Sequence, residues 1–360
     1  MDDGSTSGGR RRRRPVATTI AAVAVGVSLF AGCQNDDNVA VRSEPTATIE
    51  TPTTIAATST AAPSTSAPST AAADGTSTTA TTDAPTLAAP CGSTAEPPST
   101  YEHVVMLVNE NRTWTGGRSN AVGMGFSGGD MPFLEGLAAD CSYFVDWTEM
   151  DAEENSLNQY IGLTSGVKST TISDDCPPSD ACRSTDDNIF RQVRESGGTA
   201  RTYVDGATEP CSAGDNRVKH IPALYYQGGD DPSHCVDEVR PMSEFDPNAL
   251  PTFAFVVPDL CHDGHDCGDD VVDEWARSTL QPVLDSASYR RGDTLVVVIY
   301  DEDQPVPNLL VAPTAHQGPI DQLVGSHASL LKTVELALGL PVLDQGQLPD
   351  SPSLRSAANI

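Results

Sequence analysis

The sequence predicts an α/β protein, a three-layer sandwich with a mostly parallel central sheet. Three stretches carry this reading: HVVMLVN at His103–Asn109, TFAFVV at Thr252–Val257 and TLVVVIY at Thr294–Tyr300. Each is a nearly continuous apolar run without alternation, as expected of strands covered on both faces. Segments of helical spacing lie between them, and strands alternating with helices build a parallel sheet clothed by helices.

In chain order, the strand His103–Asn109 is followed by a Gly-rich stretch, Gly116 to Gly129, that reads as a loop. Met131 to Ala139 and Ser156 to Leu163 have helical spacing. Asn188 to Glu195 is a helix closed by Gly197-Gly198, because glycine accepts the left-handed backbone that ends helices. Ala200 to Val204 is a short strand, Thr252–Val257 a buried one, and Asp270 to Asp285 a helix. After the strand Thr294–Tyr300 comes another at Leu309 to Ala312. Ser326 to Leu338 is a final helix, stopped by Gly339 with Pro341 just beyond. No internal repeat is present.

The N-terminus predicts export. Arg10 to Arg14 are consecutive arginines, an uncharged run follows from Val16 to Gly32, and Ala31-Gly32 precede Cys33. A basic segment, a short apolar segment and small residues before a cut describe a secretory signal peptide. The small pair before cysteine resembles a bacterial lipobox, so residues 1–33 are expected to end in an acylated Cys33 that anchors the chain to the outer face of the membrane. An uncleaved membrane anchor is the alternative, although the run is short for a span. The arginine run is also compatible with twin-arginine export. Residues 34–90, dominated by Thr, Ser, Ala and Pro, lack the apolar surface needed to offset the entropy of ordering and are expected to form a disordered tether.

Residues 91–360 are long enough for one domain with a full core. The chain holds 21 Lys+Arg against 50 Asp+Glu, a formal charge of -29, and most of the carboxylates lie beyond residue 90. That excludes nucleic acid as a partner, since the main attraction to a phosphate backbone is missing. A small phosphate substrate is not excluded, because a bound metal inverts the local potential. Of the nine cysteines, setting Cys33 aside leaves an even number, as in a disulfide framework in an oxidising compartment. The close pairs Cys176/Cys182 and Cys261/Cys267 are expected to bridge locally. Cys91–Cys141 and Cys211–Cys235 are one of the ways to pair the rest.

Ligands of open α/β sheets bind off the carboxyl ends of strands. Glu110, Asn111 and Arg112 follow the first strand, Asp301, Glu302 and Asp303 follow TLVVVIY, and Asp259 and the loop Cys261 to Cys267 follow TFAFVV. One pair of strand-end acids would be read as helix caps. Three sets converging on one edge, rich in hard oxygen ligands with some imidazole, suit a divalent metal acting as a Lewis acid on a phosphoryl oxygen.

These residues also carry a family resemblance. HVVMLVNENRTW, NSLNQYIGLTSG, VPDLCHDGHDC, TLVVVIYDED and GSHASLLKTVELALGLP resemble, in order, motifs of the bacterial phosphoesterase family that contains acid phosphatases and phospholipases C. The likeness covers nearly all of residues 100 to 341 and is nearest to the secreted acid phosphatases, some of which act on phosphoinositides. It implies an alkaline-phosphatase-like fold and a metal-dependent phosphomonoesterase working through a serine phospho-enzyme. It assigns Glu110, Asn111, Asp301 and Glu302 to the metal, Ser156 to the nucleophile, and Asn111 and Asp263 to substrate. His220, in Lys219-His220-Ile221-Pro222, joins His265 and His327 as catalytic histidines. The chain departs from the family where His-Pro-Ser becomes Glu154-Asn155-Ser156. A carboxylate there either adds a metal ligand or repels phosphate. The competing expectations are a phospholipase C and a cell-surface binding domain that keeps the fold without turnover.

Overall fold

A computed structural model describes residues 89–112, 131–150, 155–169, 171–172, 174–214 and 218–360. The leader, Cys33, nearly all of the tether, the loop Gly116 to Gly129 and Glu154 lie outside the described residues.

The core of the sheet is built as the apolar runs require. Strand β1 (His103–Asn109) is followed by helix α1 (Pro132–Asp140), the short strands β2 (Ser142–Phe144) and β3 (Trp147–Thr148), and helix α2 (Ser156–Ser165). Helix α3 (Ile189–Glu195), strand β4 (Ala200–Val204), helix α4 (Asp231–Glu238) and strands β5 (Val239–Pro241) and β6 (Phe253–Val257) come next. Helices α5 (Asp269–Leu284) and α6 (Ala287–Arg291) lead to β7 (Thr294–Tyr300), β8 (Asn308–Val311), β9 (Gly318–Ile320), β10 (Gly325–Ser326), α7 (His327–Ala337) and α8 (Arg355–Ala358).

Eight strands form one sheet in the order β5-β4-β6-β1-β7-β8-β2-β9. The run from β5 to β7 is parallel throughout. β8 is antiparallel to both β7 and β2, and β2 pairs in parallel with β9. Every residue of β6 and β7 is buried, so both faces of the sheet are covered. The covering helices pack in two groups, α2 with α3 and α7, and α1 with α5 and α6. This is the predicted three-layer α/β architecture.

Local chemistry sets the helix ends. Asn188 is the N-cap of α3 and accepts from Arg191 N, and Ser326 caps α7 by accepting from Ser329 N. Pro132 opens α1, where its missing N–H costs nothing. Helix α2 ends on Gly166, with φ of 72°. Gly325 is required for a different reason: a Cβ there would lie 2.1 Å from the Trp147 ring, against which β10 is laid.

Four disulfides close the chain, Cys91–Cys141, Cys176–Cys182, Cys211–Cys235 and Cys261–Cys267, the pairing set out above. Cys91–Cys141 ties the segment before β1 to the end of α1 across 50 residues. A Cys91→Ala/Cys141→Ala variant is expected to lose on the order of 2–4 kcal/mol of stability, read as a lower urea midpoint with turnover kept below the transition.

Candidate active site

Sheet register brings the first two acids together. Asn109 pairs with Tyr300 across β1 and β7, so the next residues, Glu110 and Asp301, leave adjacent strand ends side by side. Asp301 N donates to Asn109 O at 3.0 Å. Both carboxyl groups are fully buried. Asn111 turns away with φ of 52°, a left-handed conformation that asparagine tolerates better than most residues. Its backbone N–H donates to Asp301 Oδ1 at 3.1 Å, and its Nδ2 donates to Glu302 Oε1 at 2.7 Å and Glu110 Oε2 at 3.4 Å. Asn111 therefore stitches the carboxylates together and, in this arrangement, offers them a donor. Asp303, with φ of 79°, donates its N–H to Glu149 Oε2 at 3.0 Å.

Ser156 is the first residue of α2, a helix buried around its whole circumference. The Ser156 hydroxyl donates to Glu110 Oε2 at 3.3 Å, and Lys219 Nζ donates to Ser156 Oγ at 2.9 Å. A helix start attracts anions, and here Asp175 supplies one: its Oδ1 accepts from Leu157 N at 3.1 Å and its Oδ2 from Lys219 Nζ at 3.0 Å.

His220 ends a short 3-10 turn, Val218–His220. Its Nε2 lies 3.0 Å from Glu110 Oε1 and its Nδ1 3.5 Å from Asp263 Oδ2. The ring stacks on Tyr160 at 5.0 Å and 12°, so α2 orients the imidazole as well as the serine. Asp263 sits in the loop closed by Cys261–Cys267. The loop is tied to β1, since Glu110 N donates to Asp263 O at 2.9 Å. Arg112 adds a second tie: its guanidinium donates to Gly264 O and Asn111 O, both at 3.0 Å, and to Asp269.

The electrostatics favour either protons or a cation among these carboxyl groups. Burial, followed by the charges of Asp301 and Asp263, holds Glu110 well above the usual carboxylate range. Burial also raises Asp301. It pushes Asp263 up to about 7. Glu302 is pushed up to about 8, by burial first and then by Asp301 and Asp303. Burial lowers His220 to about 3. Glu110 Oε1, Asp263 Oδ2 and Asp301 Oδ2 are buried without a hydrogen bond among the described residues. Buried carboxylates of this kind are paired or hold metal. Among the described residues three sets of ligand atoms lie within 4.8 Å of one another. One, Asp205, Asp259 and His262, is separate, and the other two meet here: Glu110, Asp301 and Glu302, and Glu110, His220 and Asp263. Glu110 belongs to both, so these residues fit one or two divalent ions.

The expected site residues thus separate into two groups. Glu110, Asn111, Ser156, His220, Asp263, Asp301 and Glu302 form one connected cluster. His265 lies on its margin, half-buried, with Nδ1 2.6 Å from Asp266 Oδ1 and its N–H given to Asp263 Oδ1 at 2.8 Å. His327 stands behind it. Trp147 Nε1 donates to His327 Nδ1 at 3.2 Å, which leaves Nε2–H to donate to the Asp301 carbonyl at 2.6 Å. Burial lowers His327 to about 4, so it stays neutral and holds the Asp301 backbone, with both nitrogens committed to protein. Replacing His327 by leucine is expected to orphan two buried groups at on the order of 1–3 kcal/mol each. Chemical denaturation reads that loss, and metal titration reads weaker binding as Asp301 loosens.

Sequence reasoning missed Lys219 and Asp175 as parts of the site. Lys219 had one available signal, its place beside His220. His262, in the same disulfide loop, is held by its own partners. Its Nδ1 is 2.6 Å from Asp205 Oδ2 and 3.1 Å from Asp259 Oδ1, and its ring stacks on Trp275 at 5.5 Å.

Comparison with known proteins bears on the family. A family model described as "Phosphoesterase family" matches residues 118–341. A phosphatidylinositol-3-phosphatase of Mycobacterium tuberculosis is 27% identical over 262 residues, covering 69% of this chain and 81% of the relative. An acid phosphatase of Aspergillus fumigatus is 28% identical over 138 residues, covering 35% of this chain and 31% of that one. Among solved structures, an alkaline phosphatase superfamily protein of Vibrio parahaemolyticus is 12% identical with a TM-score of 0.48, over 72% of this chain and 73% of the other.

Proposed function

The chain belongs to the Phosphoesterase family and is a hydrolase of phosphate esters, and on that premise we propose that it is a metal-dependent phosphomonoesterase with Ser156 as nucleophile. The observation that carries the proposal is the Ser156 hydroxyl, fixed at the start of a buried helix between the Glu110 carboxylate and the Lys219 ammonium.

Glu110, Asp301 and Glu302 would hold one divalent ion beside Ser156, and Glu110, His220 and Asp263 a second. When bound, such a cation supplies Lewis-acid stabilisation of phosphoryl oxygens and favours ionisation of the serine hydroxyl. The chain does the rest. Asn111 fixes the spacing of the carboxylates through three hydrogen bonds. His220, stacked on Tyr160, keeps an imidazole facing Glu110 and Asp263. Ser156 Oγ attacks phosphorus in line, forming a phosphoserine that water hydrolyses. His265, on the margin of the site, is assigned the proton for the departing alcohol.

The natural substrate we propose is a small phosphomonoester or phosphoinositide, by analogy with the relative named a phosphatidylinositol-3-phosphatase. We also propose that the chain is exported and anchored through Cys33. The four disulfides of the folded region are consistent with an oxidising compartment. Among the described residues no helix is long and apolar enough to cross a membrane.

Purified protein is expected to hydrolyse p-nitrophenyl phosphate in divalent metal, and p-nitrophenylphosphorylcholine far more slowly. A preference for the phosphorylcholine ester would replace the phosphomonoesterase by a phospholipase C. No turnover of either, with phosphate still bound, would leave a binding domain.

A further inference from the structure

We infer that Lys219 is a catalytic residue that holds the Ser156 oxygen through both halves of the phosphoryl transfer, and that Asp175 is its positioning residue. The inference rests on the reading of Ser156 as nucleophile. Lysine has donors and no acceptor, so the 2.9 Å contact from Nζ to Oγ runs in one direction. It leaves the Ser156 proton aimed at Glu110 Oε2. A positive charge is thus fixed 2.9 Å from the atom that becomes the nucleophile.

Asp175 keeps the ammonium there. One carboxylate oxygen takes Leu157 N–H in the first turn of α2 and the other takes Lys219 Nζ. The lysine is thereby indexed to the same helical turn that carries Ser156. The next residue, Cys176, is bridged to Cys182, which limits drift of the Asp175 segment. Lys219 is only 7% exposed, so its long stem is ordered before substrate arrives. Preorganised donors aimed at developing charge are the largest common source of catalytic stabilisation.

The step balances without any proton from Lys219. The Ser156 hydroxyl proton is released to solvent, the Oγ–P bond forms, and the P–O bond to the alcohol breaks. The alcohol leaves with a proton, through His265 or water. Water then attacks phosphorus, the P–Oγ bond breaks, and Oγ regains a proton from solvent. Oγ is the nucleophile in the first half and the leaving atom in the second. The ammonium beside it neutralises charge on Oγ in both. A lysine placed to protonate the substrate's alcohol would act only in the first half, and most strongly on poor leaving groups.

That difference supplies the test. Wild type, Lys219→Met, Lys219→Arg and Asp175→Asn would be compared as the full chain in saturating metal. The substrates are aryl and alkyl phosphates of graded leaving-group pKa, with phosphoserine formation and breakdown timed by quenched flow and metal content checked in each sample. Lys219→Met is expected to slow both halves on the order of 10²–10³-fold, by the same factor on every ester. Lys219→Arg should recover part of the loss, and Asp175→Asn should lower kcat with KM little changed. A loss that grows with leaving-group pKa, a change confined to KM, or wild-type rates in Lys219→Met would overturn the inference. Should Lys219→Met fail to fold, Asp175→Asn and Lys219→Arg carry the test: wild-type kcat in both would overturn it equally. If Ser156→Ala itself keeps turnover, the nucleophile reading fails. If Ser156→Ala is dead while the Lys219 and Asp175 variants behave as wild type, only the lysine inference falls.

Discussion

Replacing Ser156 by alanine is expected to lower phosphatase turnover on the order of 10⁴-fold, because a covalent route is removed rather than a single hydrogen bond. Binding of inorganic phosphate or vanadate should change far less, since the carboxylate cluster, His220 and Lys219 remain. The substitution is small and the helix start keeps its other contacts: Leu157 N still donates to Asp175 and α2 stays buried throughout. Mass spectrometry of acid-quenched wild type should find phosphate on Ser156. The other hydroxyl that could be suspected on this helix, Thr164, is already committed. Its Oγ1 donates to Tyr160 O at 2.8 Å and meets Tyr226 OH at 2.7 Å, and the residue is fully buried. Wild-type turnover in Ser156→Ala would transfer the attack to water and remove the centre of the mechanism. Glu154→His in the same assay asks what the unusual neighbour does: a rise in rate means the carboxylate repels phosphate, and weaker metal binding means it serves as a ligand.

Much of this arrangement was legible because it follows from strands too apolar to be anything else. β1, β6 and β7 announce themselves as unbroken runs, and a parallel sheet delivers whatever follows them to one edge. Glu110, Asp301 and Asp263 could therefore be grouped before any coordinates. The short strands at one end of the sheet were not legible. Ser142–Phe144 and Gly318–Ile320 are three residues each, below the length at which a period can be read. α4, with the sequence DPSHCVDE, has almost no apolar stripe and is held by the Cys211–Cys235 bridge. At the site, the missing information was partnership across long separations. Lys219 reaches Ser156 across 63 residues and Trp147 reaches His327 across 180. The family resemblance made His327 look reactive, whereas its position at the first turn of α7, under Asp301, commits both nitrogens to the scaffold.

Thorough chelation is expected to abolish turnover and to leave a carboxylate cluster whose contribution to stability falls as pH rises. The first part follows from Glu110, Asp301 and Asp263, each buried with an oxygen that finds no hydrogen bond among the described residues, and from Glu302 beside them. The second follows from the direction of their titration. Glu302 moves from an ordinary 4.5 up to about 8, and Asp263 from 3.8 up to about 7. In the metal-free protein the folded state therefore binds more protons than the unfolded chain between those values, and stability declines with pH wherever that holds. The contribution is intact below about pH 4, erodes through neutrality, and is fully lost above about pH 8. A bound divalent cation reverses the preference by stabilising the ionised carboxylates. Holo protein should then show a flat or rising profile over the same window. Melting temperature measured from pH 4 to 8 with chelator and with excess metal should give curves that meet at acid pH and diverge toward alkaline pH. Parallel curves, or full turnover after exhaustive dialysis against chelator, would mean that this carboxylate cluster is neutralised from within the chain and that no metal takes part.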